Sequence, residues 1–553
     1  MSASTLHGAA SATQHEALAA PSTGAPDSAP ATTGAERLVH ALVDHGVDVC
    51  FANPGTSEMH FVAALDRIPG MRCVLGLAEG VVTGAADGFY RIADRPAATL
   101  LHLGPGLANG LANLHNAKKA RSGVVNIVGD HATAHLALDA PLTSDIAGVA
   151  TPMSHWVRSA RSLSTVADDG IEAIRQASMR PGRIATLILP ADIAWTAVEA
   201  DGTPRPRQAI DRLRAKPIDD NAVVRAATAV REGATTLLLL GDRALRDEAA
   251  QVAGRIAAAT QCGLRSDFFC ARIQRGAGRA IVPRLPYAVD PLLAALAPFD
   301  RIVLVGAKAP VAFFAYPGKP GVASKPGCEI IELASPEHDP LEALHALAAA
   351  VGATAQAKAS VAVRSVESAT TPGGTLDSPG IARVLTALIP ENAIVVDESL
   401  TTGRAFDGAT VGAAPHDWLT GTGGSIGFGL PVAVGAALAA PDRKVLALEG
   451  DGSAMYTPQA LWTMAREALD VTILVFANRT YKILLAEFAN VGAGAPGRRA
   501  SDMLSIDRPT LDWVALANGM GVEASRAGDL SALADQLASA LGAGGPRLIE
   551  VVL

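Results

Sequence analysis

Cationic side chains, cysteines and long apolar runs are all scarce in this chain. Lys and Arg number 46 against 54 Asp and Glu in 553 residues, a net charge of -8. So mild an acidic balance gives no electrostatic footprint for nucleic acid or an anionic membrane. Five cysteines, Cys50, Cys73, Cys262, Cys270 and Cys328, are scattered with no short metal-type spacing. They read as mostly inert thiols of a reducing compartment. No Lys or Arg precedes Arg37, and the first 34 residues, rich in Ala, Ser, Thr, Gly and Pro, hold no apolar core segment. A secretory signal needs both, so residues 1–34 read as a disordered tail and the protein as cytoplasmic. The longest weakly polar stretch, "SIGFGLPVAVGAALAAP", is broken by Gly and Pro and falls short of a bilayer span. It reads as a buried helix.

What the chain does have is alternation. From Ala35 on, strand-like apolar runs ending in glycine or an acid alternate with helical segments, the mark of βαβ units. "GVDVCFANPG", "RCVLGLAE", "AATLLHLGPG", "GVVNIVGD" and "RIATLILPADI" make a first block, residues 35–200, followed by the Pro-rich linker "EADGTPRPRQA". A second block, 212–352, holds "TTLLLLGD", "RIVLVGA" and "CEIIELA". Residues 353–375 have the composition of a surface linker, and the third block, 376–553, holds "AIVVDES", "KVLALEG", "VTILVFAN" and "RLIEVV". The length exceeds what one core serves. The expected fold is α/β, with three doubly wound open parallel-sheet domains. Ligands of such sheets collect at the carboxyl ends of strands, which singles out the turns "NPGTSE", "LAEG", "LHLGPG", "VGDHA", "DESLTTG", "EGDGSA" and "FANRTY".

In "KVLALEGDGSAMYT", Gly450 and Gly452 permit a sharp turn and a close backbone approach. Asp451 between them offers a hard anionic oxygen, and "SAMYTPQALWTMARE" reads as a helix. Asn478 ends the next strand 27 residues later, followed by Arg479 and Thr480. Adjacent parallel strands would set Asp451 and Asn478 side by side as oxygen ligands. With a backbone carbonyl near Thr480 they suit an octahedral ion such as Mg²⁺. Ser453 and the amides opening the helix suit a diphosphate.

Gly-Asp-Gly followed at this distance by Asn resembles the diphosphate motif of thiamine diphosphate (ThDP) enzymes. Residues 35–553 as a whole resemble the pyruvate oxidase, acetolactate synthase and benzoylformate decarboxylase family. The resemblance implies a pyrimidine-binding domain, a middle domain and a diphosphate-binding domain. It implies ThDP and Mg²⁺ as cofactors, held by Gly450, Asp451, Gly452, Ser453, Ala454, Asn478, Thr480, Tyr481, Lys482 and Ile483, with Asp451, Asn478 and Thr480 as metal ligands. Ala477 stands where the family usually has a second Asn, but the ligand position is the later one. Glu79 matches the catalytic glutamate, which faces the pyrimidine and lets the cofactor form its carbanion. Ahead of an apolar helix, Glu79 is expected to be desolvated. Ile426 in "TGTGGSIGFGLP" matches the apolar residue under the cofactor, Gly424 and Ser425 border the pyrimidine, and Glu398, Ser399 and Leu400 match a loop that touches the cofactor. The family further implies a homodimer with shared active sites, assembled into a homotetramer.

His102 in "LLHLGPG" and Thr56 in "NPGTSE" resemble the acid–base histidine and the substrate serine of benzoylformate decarboxylase. Gly104-Pro105-Gly106 instead has the acetolactate synthase form. The decarboxylase's second histidine has no counterpart, since Phe313, Phe314 and Ala315 stand there. Ile483, Leu484 and Phe488 are candidate walls of an apolar substrate pocket, Lys482 a candidate carboxylate contact, and His131 and His135 secondary candidates. The reading is a decarboxylase of a 2-oxo acid acting through an enamine, with an acetolactate synthase-like carboligase as the alternative. A non-catalytic ThDP-binding subunit is a third reading, disfavoured because Glu79, Asp451 and Asn478 are all present. Gly241 and Arg243 in "LLGDRAL" occur in flavin-binding and flavin-free relatives alike, so FAD is not expected but stays open. The expected partners are a small 2-oxo acid and further copies of the chain, without nucleic acid or membrane.

Overall fold

Thr33 opens the first helix of the chain. Its hydroxyl accepts from the Glu36 amide while Glu36 reaches back to the Thr33 amide, a capping box. The computed structural model describes residues 31–199, 215–353, 356–365 and 374–553; the expected tail before Ala31 and parts of both linkers lie outside the described residues. Ala31–Thr33, expected within the tail, instead form strand β1, because the chain leaving the first domain supplies a partner: β8 (Ala197–Glu199) pairs with it antiparallel.

Continuous apolar runs buried on both faces make parallel strands. The first sheet contains β2 (Val49–Asn53), β3 (Arg72–Leu75), β4 (Ala97–Leu101), β5 (Val124–Asp130), β6 (Trp156–Ser159) and β7 (Ile184–Pro190), in the order β3-β2-β4-β5-β7-β6, all parallel. The middle sheet runs β10-β9-β12-β13, with β9 (Thr236–Leu240), β10 (Gly263–Ser266), β12 (Arg301–Val305) and β13 (Glu329–Ala334), again all parallel. The third sheet has the order β11-β15-β14-β16-β17-β19-β18. Its parallel strands are β14 (Ile394–Glu398), β15 (His416–Thr420), β16 (Val445–Gly450), β17 (Val471–Ala477), β18 (Glu523–Ala527) and β19 (Arg547–Val552). Its edge strand β11 (Ile273–Arg275) comes from the middle block and pairs antiparallel with β15. That block therefore caps an otherwise open edge of the third sheet.

The first and third domains share one apolar core. The helix Glu79–Ala93 crosses the helix Gly429–Ala439 so closely that a methyl at Gly435 would lie 1.9 Å from the Ala85 carbonyl oxygen. Nearly every residue of Gly429–Ala439 is buried, which accounts for its apolar composition all round. No helix among the described residues is long and apolar enough to cross a membrane. The helix expected to run on from Ser453 is broken into Asp451–Ala454 and Ala460–Arg466. Pro458 lacks an amide donor and disfavours helical backbone at Thr457.

Candidate active site

β16 and β17 are parallel neighbours with Gly450 opposite Phe476, so their carboxyl-end turns emerge together. The buried Asp451 carboxylate accepts from the Gly452 amide at 2.9 Å and the Arg479 amide at 2.6 Å. The second bond ties one turn to the other. Burial pushes the Asp451 carboxyl up, and the amides hold it down. Asn478 Oδ1 accepts from the Thr480 amide at 3.0 Å, and the Thr480 carbonyl from the Lys482 amide at 2.8 Å. Each oxygen keeps a further lone pair. A carboxylate, a side-chain amide oxygen and a carbonyl form a hard donor set that fits Mg²⁺ completed by phosphate and water oxygens. No group of three or more His, Cys, Asp or Glu positioned to hold a metal occurs among the described residues. The Ser453 hydroxyl, expected at the diphosphate, donates back to the Gly450 carbonyl at 3.0 Å and closes its own turn. Ala454 is buried behind it. Tyr481 lays its ring on Gly452, where a methyl would fall 2.6 Å from it.

The backbone of the loop 421–429 is held at several of its polar groups. Glu398 accepts from the Gly427 and Gly429 amides, each at 2.6 Å. Asn116 accepts from the Ser425 amide at 3.3 Å and donates to its carbonyl at 2.8 Å. His115 Nε2 meets the Gly423 carbonyl at 3.0 Å, and Asn113 and Thr457 donate to the Gly427 carbonyl at 3.3 and 2.9 Å. Ile426 is thus flanked on both sides by anchored backbone. Glu398, in the loop expected to touch the cofactor, turns its carboxyl beneath the 421–429 loop, where it satisfies two orphan amides. Opposite it in register lies Glu449, fully buried. Burial, then the nearby Asp397 charge, pushes Glu398 up to about 8 against its amide donors. Burial and the neighbouring acids push Glu449 well up. Asn113, His115, Asn116, Thr457 and Glu449 escaped sequence reasoning, since a polar residue inside an element gives no sign of what it faces.

In the first domain, Glu79 begins the helix Glu79–Ala93 and accepts from Asn109 Nδ2 at 3.2 Å. A methyl at Gly106 would lie 3.3 Å from Glu79 Oε1, so the glycine leaves that oxygen room. Glu79 is only partly buried, short of the desolvation expected of it. His102 Nδ1 lies 2.8 Å from Oε2 of Glu58, a buried acid that also accepts from the Gly55 amide at 2.8 Å. With Nδ1–H donated to the carboxylate, Nε2 is left free. A methyl at Gly55 would overlap the His102 ring at 2.2 Å. Thr56 is exposed on the same turn. Glu58 was missed, although an acid three residues after Gly55 is the usual closure of such a turn. His131 and His135 pair with each other after β5, ring centroids 5.4 Å apart. Leu103, Leu400 and Arg479, directly after His102, Ser399 and Asn478, have φ of 47°, 49° and 59°. Non-glycine residues seldom adopt this left-handed backbone, and such strain concentrates at functional turns.

On the outer side, the Phe313 ring packs on Gly424, where a methyl would fall 2.9 Å away. Phe268, Phe269, Tyr287, Phe313, Phe314 and Tyr316 form a run of touching rings with centroids 4.5–6.4 Å apart. Six of the chain's 12 Phe and 5 Tyr gather there, from the stretches 268–269, 287 and 313–316; Phe268, Phe269, Tyr287 and Tyr316 were not anticipated. The helix Lys482–Asn490 buries none of its residues, leaving Lys482, Ile483, Leu484 and Phe488 at least partly accessible. A cavity of about 360 Å³ opens between the rings and Lys118, Arg121 and Lys308. Arg243, weighed as a flavin contact, is bonded to Asp94 at 2.8 Å.

Residues 32–149 match the family described as Thiamine pyrophosphate enzyme, N-terminal TPP binding domain, and residues 408–551 match its C-terminal TPP binding domain. A protein of Mycobacterium tuberculosis named "Putative acetolactate synthase large subunit IlvX" is 51% identical over 94% of this chain and 99% of its own length. Benzoylformate decarboxylase of Pseudomonas aeruginosa is 31% identical over 92% of this chain and 96% of its own. Among solved structures, the thiamine diphosphate-dependent 4-hydroxybenzoylformate decarboxylase of Rhodococcus jostii superposes with a TM-score of 0.77 at 25% identity, covering 94% of this chain and 98% of that one.

Proposed function

The chain belongs to the thiamine diphosphate-dependent enzymes of the acetolactate synthase and benzoylformate decarboxylase family, and from that premise we propose that it decarboxylates a 2-oxo acid and releases the aldehyde. The observation that carries this reading is the His102–Glu58 pair. A histidine oriented by a buried carboxylate, with one nitrogen free, is suited to moving a proton at the carbon that loses carbon dioxide. Bound ThDP supplies the electron sink for that loss. Asp451, Asn478 and the Thr480 carbonyl would hold Mg²⁺ and through it the diphosphate, while the anchored loop keeps Ile426 in place under the rings. Glu79 would hold a proton at the pyrimidine nitrogen. Its partial exposure supports a homodimer in which a second protomer covers it, and pairs of dimers as a tetramer. Thr56, with Lys482 as a second candidate, would bind the substrate carboxylate. The rings at Phe313 and Phe314, with Ile483, Leu484 and Phe488, suit an apolar side chain. Five free thiols support a cytoplasmic setting, and we expect no flavin.

A second reading, carboligation of the acetolactate synthase type, is favoured by Gly104-Pro105-Gly106, by the absence of a histidine at Phe313–Ala315, and by the name of the mycobacterial relative. The deciding experiment supplies ThDP and Mg²⁺ and offers aromatic, aliphatic and acidic 2-oxo acids. Aldehyde formed in step with carbon dioxide supports the first reading. Acetohydroxy acid as the main product from pyruvate replaces it with the second.

A further inference from the structure

We infer that the seam between the first and middle domains holds a small inorganic anion of the size of chloride, bound by arginines that the two domains bring together. The site is independent of the substrate. A cavity of about 30 Å³ lies between the C-terminal ends of the helices Glu79–Ala93 and Leu103–Ala120, the 180–182 turn and the turn after β9. Its size suits one small ion or a water and no organic body. Five guanidinium groups line it. Arg91 is paired with Asp87 at 2.6 Å, Arg121 with Asp242 at 3.2 Å and Arg180 with Asp339 at 3.2 Å. Arg243 and Arg246 both fall to Asp94, at 2.8 and 3.4 Å. Four carboxylates thus serve five cations. Nη1 of Arg246 is shut off from water and has no hydrogen-bond partner.

Helix C-termini attract cations, which accounts for arginines gathering where two of them meet. It does not account for the surplus. The nearby acceptors are already engaged. Arg121 Nη1 takes the Gly306 carbonyl at 3.0 Å, and Arg272 takes those of Arg91 and Ile92 at 3.0 and 3.2 Å. The Tyr90 phenol is bonded to Arg243. Arg272 adds to the excess, since its carboxylate, Asp417, is shared with Arg443. Burial and the Arg272 charge push the Arg246 guanidinium down to about 10. Surplus positive charge around a small cavity selects an anion over a water, because an anion only accepts and also offsets the charge. Bound there, it ties Arg243 and Arg246 of the middle domain to Arg91 and Arg121 of the first.

The test uses the holoenzyme, with magnesium supplied as the matching salt. Crystals transferred to bromide should show an anomalous peak in the cavity. In solution, the thermal midpoint should be higher in chloride than in isethionate, an anion too large for the cavity, at equal ionic strength. The rise should saturate, reaching about 3–5 °C at about ten times the dissociation constant. Arg246→Met removes the surplus charge and should abolish the rise. Asp94→Asn deepens the surplus and should lower the half-saturating chloride concentration by about 10-fold. Asparagine tolerates the left-handed backbone of that position, where φ is 54°. Equal midpoints in the two salts, a rise that survives Arg246→Met, or an unchanged half-saturation in Asp94→Asn overturns the proposal. A cavity that holds only water in bromide also overturns it, as does a bromide peak without the solution response, which marks an adventitious ion only. Should Arg246→Met fail to fold, Asp94→Asn and the bromide crystals decide.

Discussion

Glu398→Gln tests whether the cofactor loop is held from beneath. The carboxylate takes the Gly427 and Gly429 amides at 2.6 Å each. Protonated or not, the carboxyl offers two acceptor oxygens; a glutamine keeps one and turns its NH₂ towards the other backbone N–H, so one bond is lost and a donor faces a donor. Leaving a buried donor unsatisfied costs about 1–3 kcal/mol. If the loop must reorder whenever ThDP binds, affinity falls by about 5- to 150-fold. Calorimetric titration of the apoprotein with ThDP in the presence of Mg²⁺ reads this directly. The substitution also has a pH signature. Burial raises Glu398 from its ordinary 4.5 to about 8. A carboxyl raised in the folded state holds its proton more tightly than the unfolded chain does. Its contribution is therefore greatest below the unfolded value and declines as pH rises through the folded one. Glutamine does not titrate, so the variant's stability deficit should shrink towards alkaline pH in urea unfolding. ThDP affinity within about twofold of wild type, together with parallel stability–pH curves, would refute the clamp.

Asp451→Ala removes the charged oxygen of the donor set and the bond to Arg479; ThDP should then bind without any response to Mg²⁺, and a retained Mg²⁺ dependence would place the ion elsewhere. Glu58→Gln presents the wrong partner to His102 Nδ1. Together with His102→Ala it should slow aldehyde formation by about 100-fold while carbon dioxide release in a single turnover changes little; equal slowing of both steps counts against the proton-delivery role. His416, fully buried, is held neutral, its pKa pushed from 6.5 down to about 3 by burial and then by Arg275. The unfolded chain takes up that proton first, so stability is full above about 6.5 and falls on acidification towards 3, by on the order of 5 kcal/mol. His416→Phe should flatten that acid limb, and an unchanged limb would show that another group carries it.

Strand-ending glycines and acids were legible because parallel strands are continuous apolar runs and their turns need special backbone. The adjacency of the Asp451 and Asn478 turns followed from strands neighbouring in sequence, and the Arg479–Asp451 bond has the same cause. The direction a polar side chain takes was not legible. Glu398 and Ser453 belong to motif turns, yet both turn inward to satisfy backbone groups that only the folded chain brings near. Pro458 broke a helix whose apolar pattern runs on past it, a local veto that the wider periodicity concealed.

Composition, alternation and paired turns by themselves determined an α/β chain of three parallel sheets and the chemistry of the enzyme family, because local backbone rules and hard-oxygen donors are written in short segments. Tertiary structure alone decided that Asn113, His115 and Asn116 of one domain hold a loop of another, and that rings from three separate stretches gather beside that loop. These are contacts between residues tens to hundreds of positions apart. Their free energy exists only once the helices Glu79–Ala93 and Gly429–Ala439 have closed on each other, and no local pattern records it.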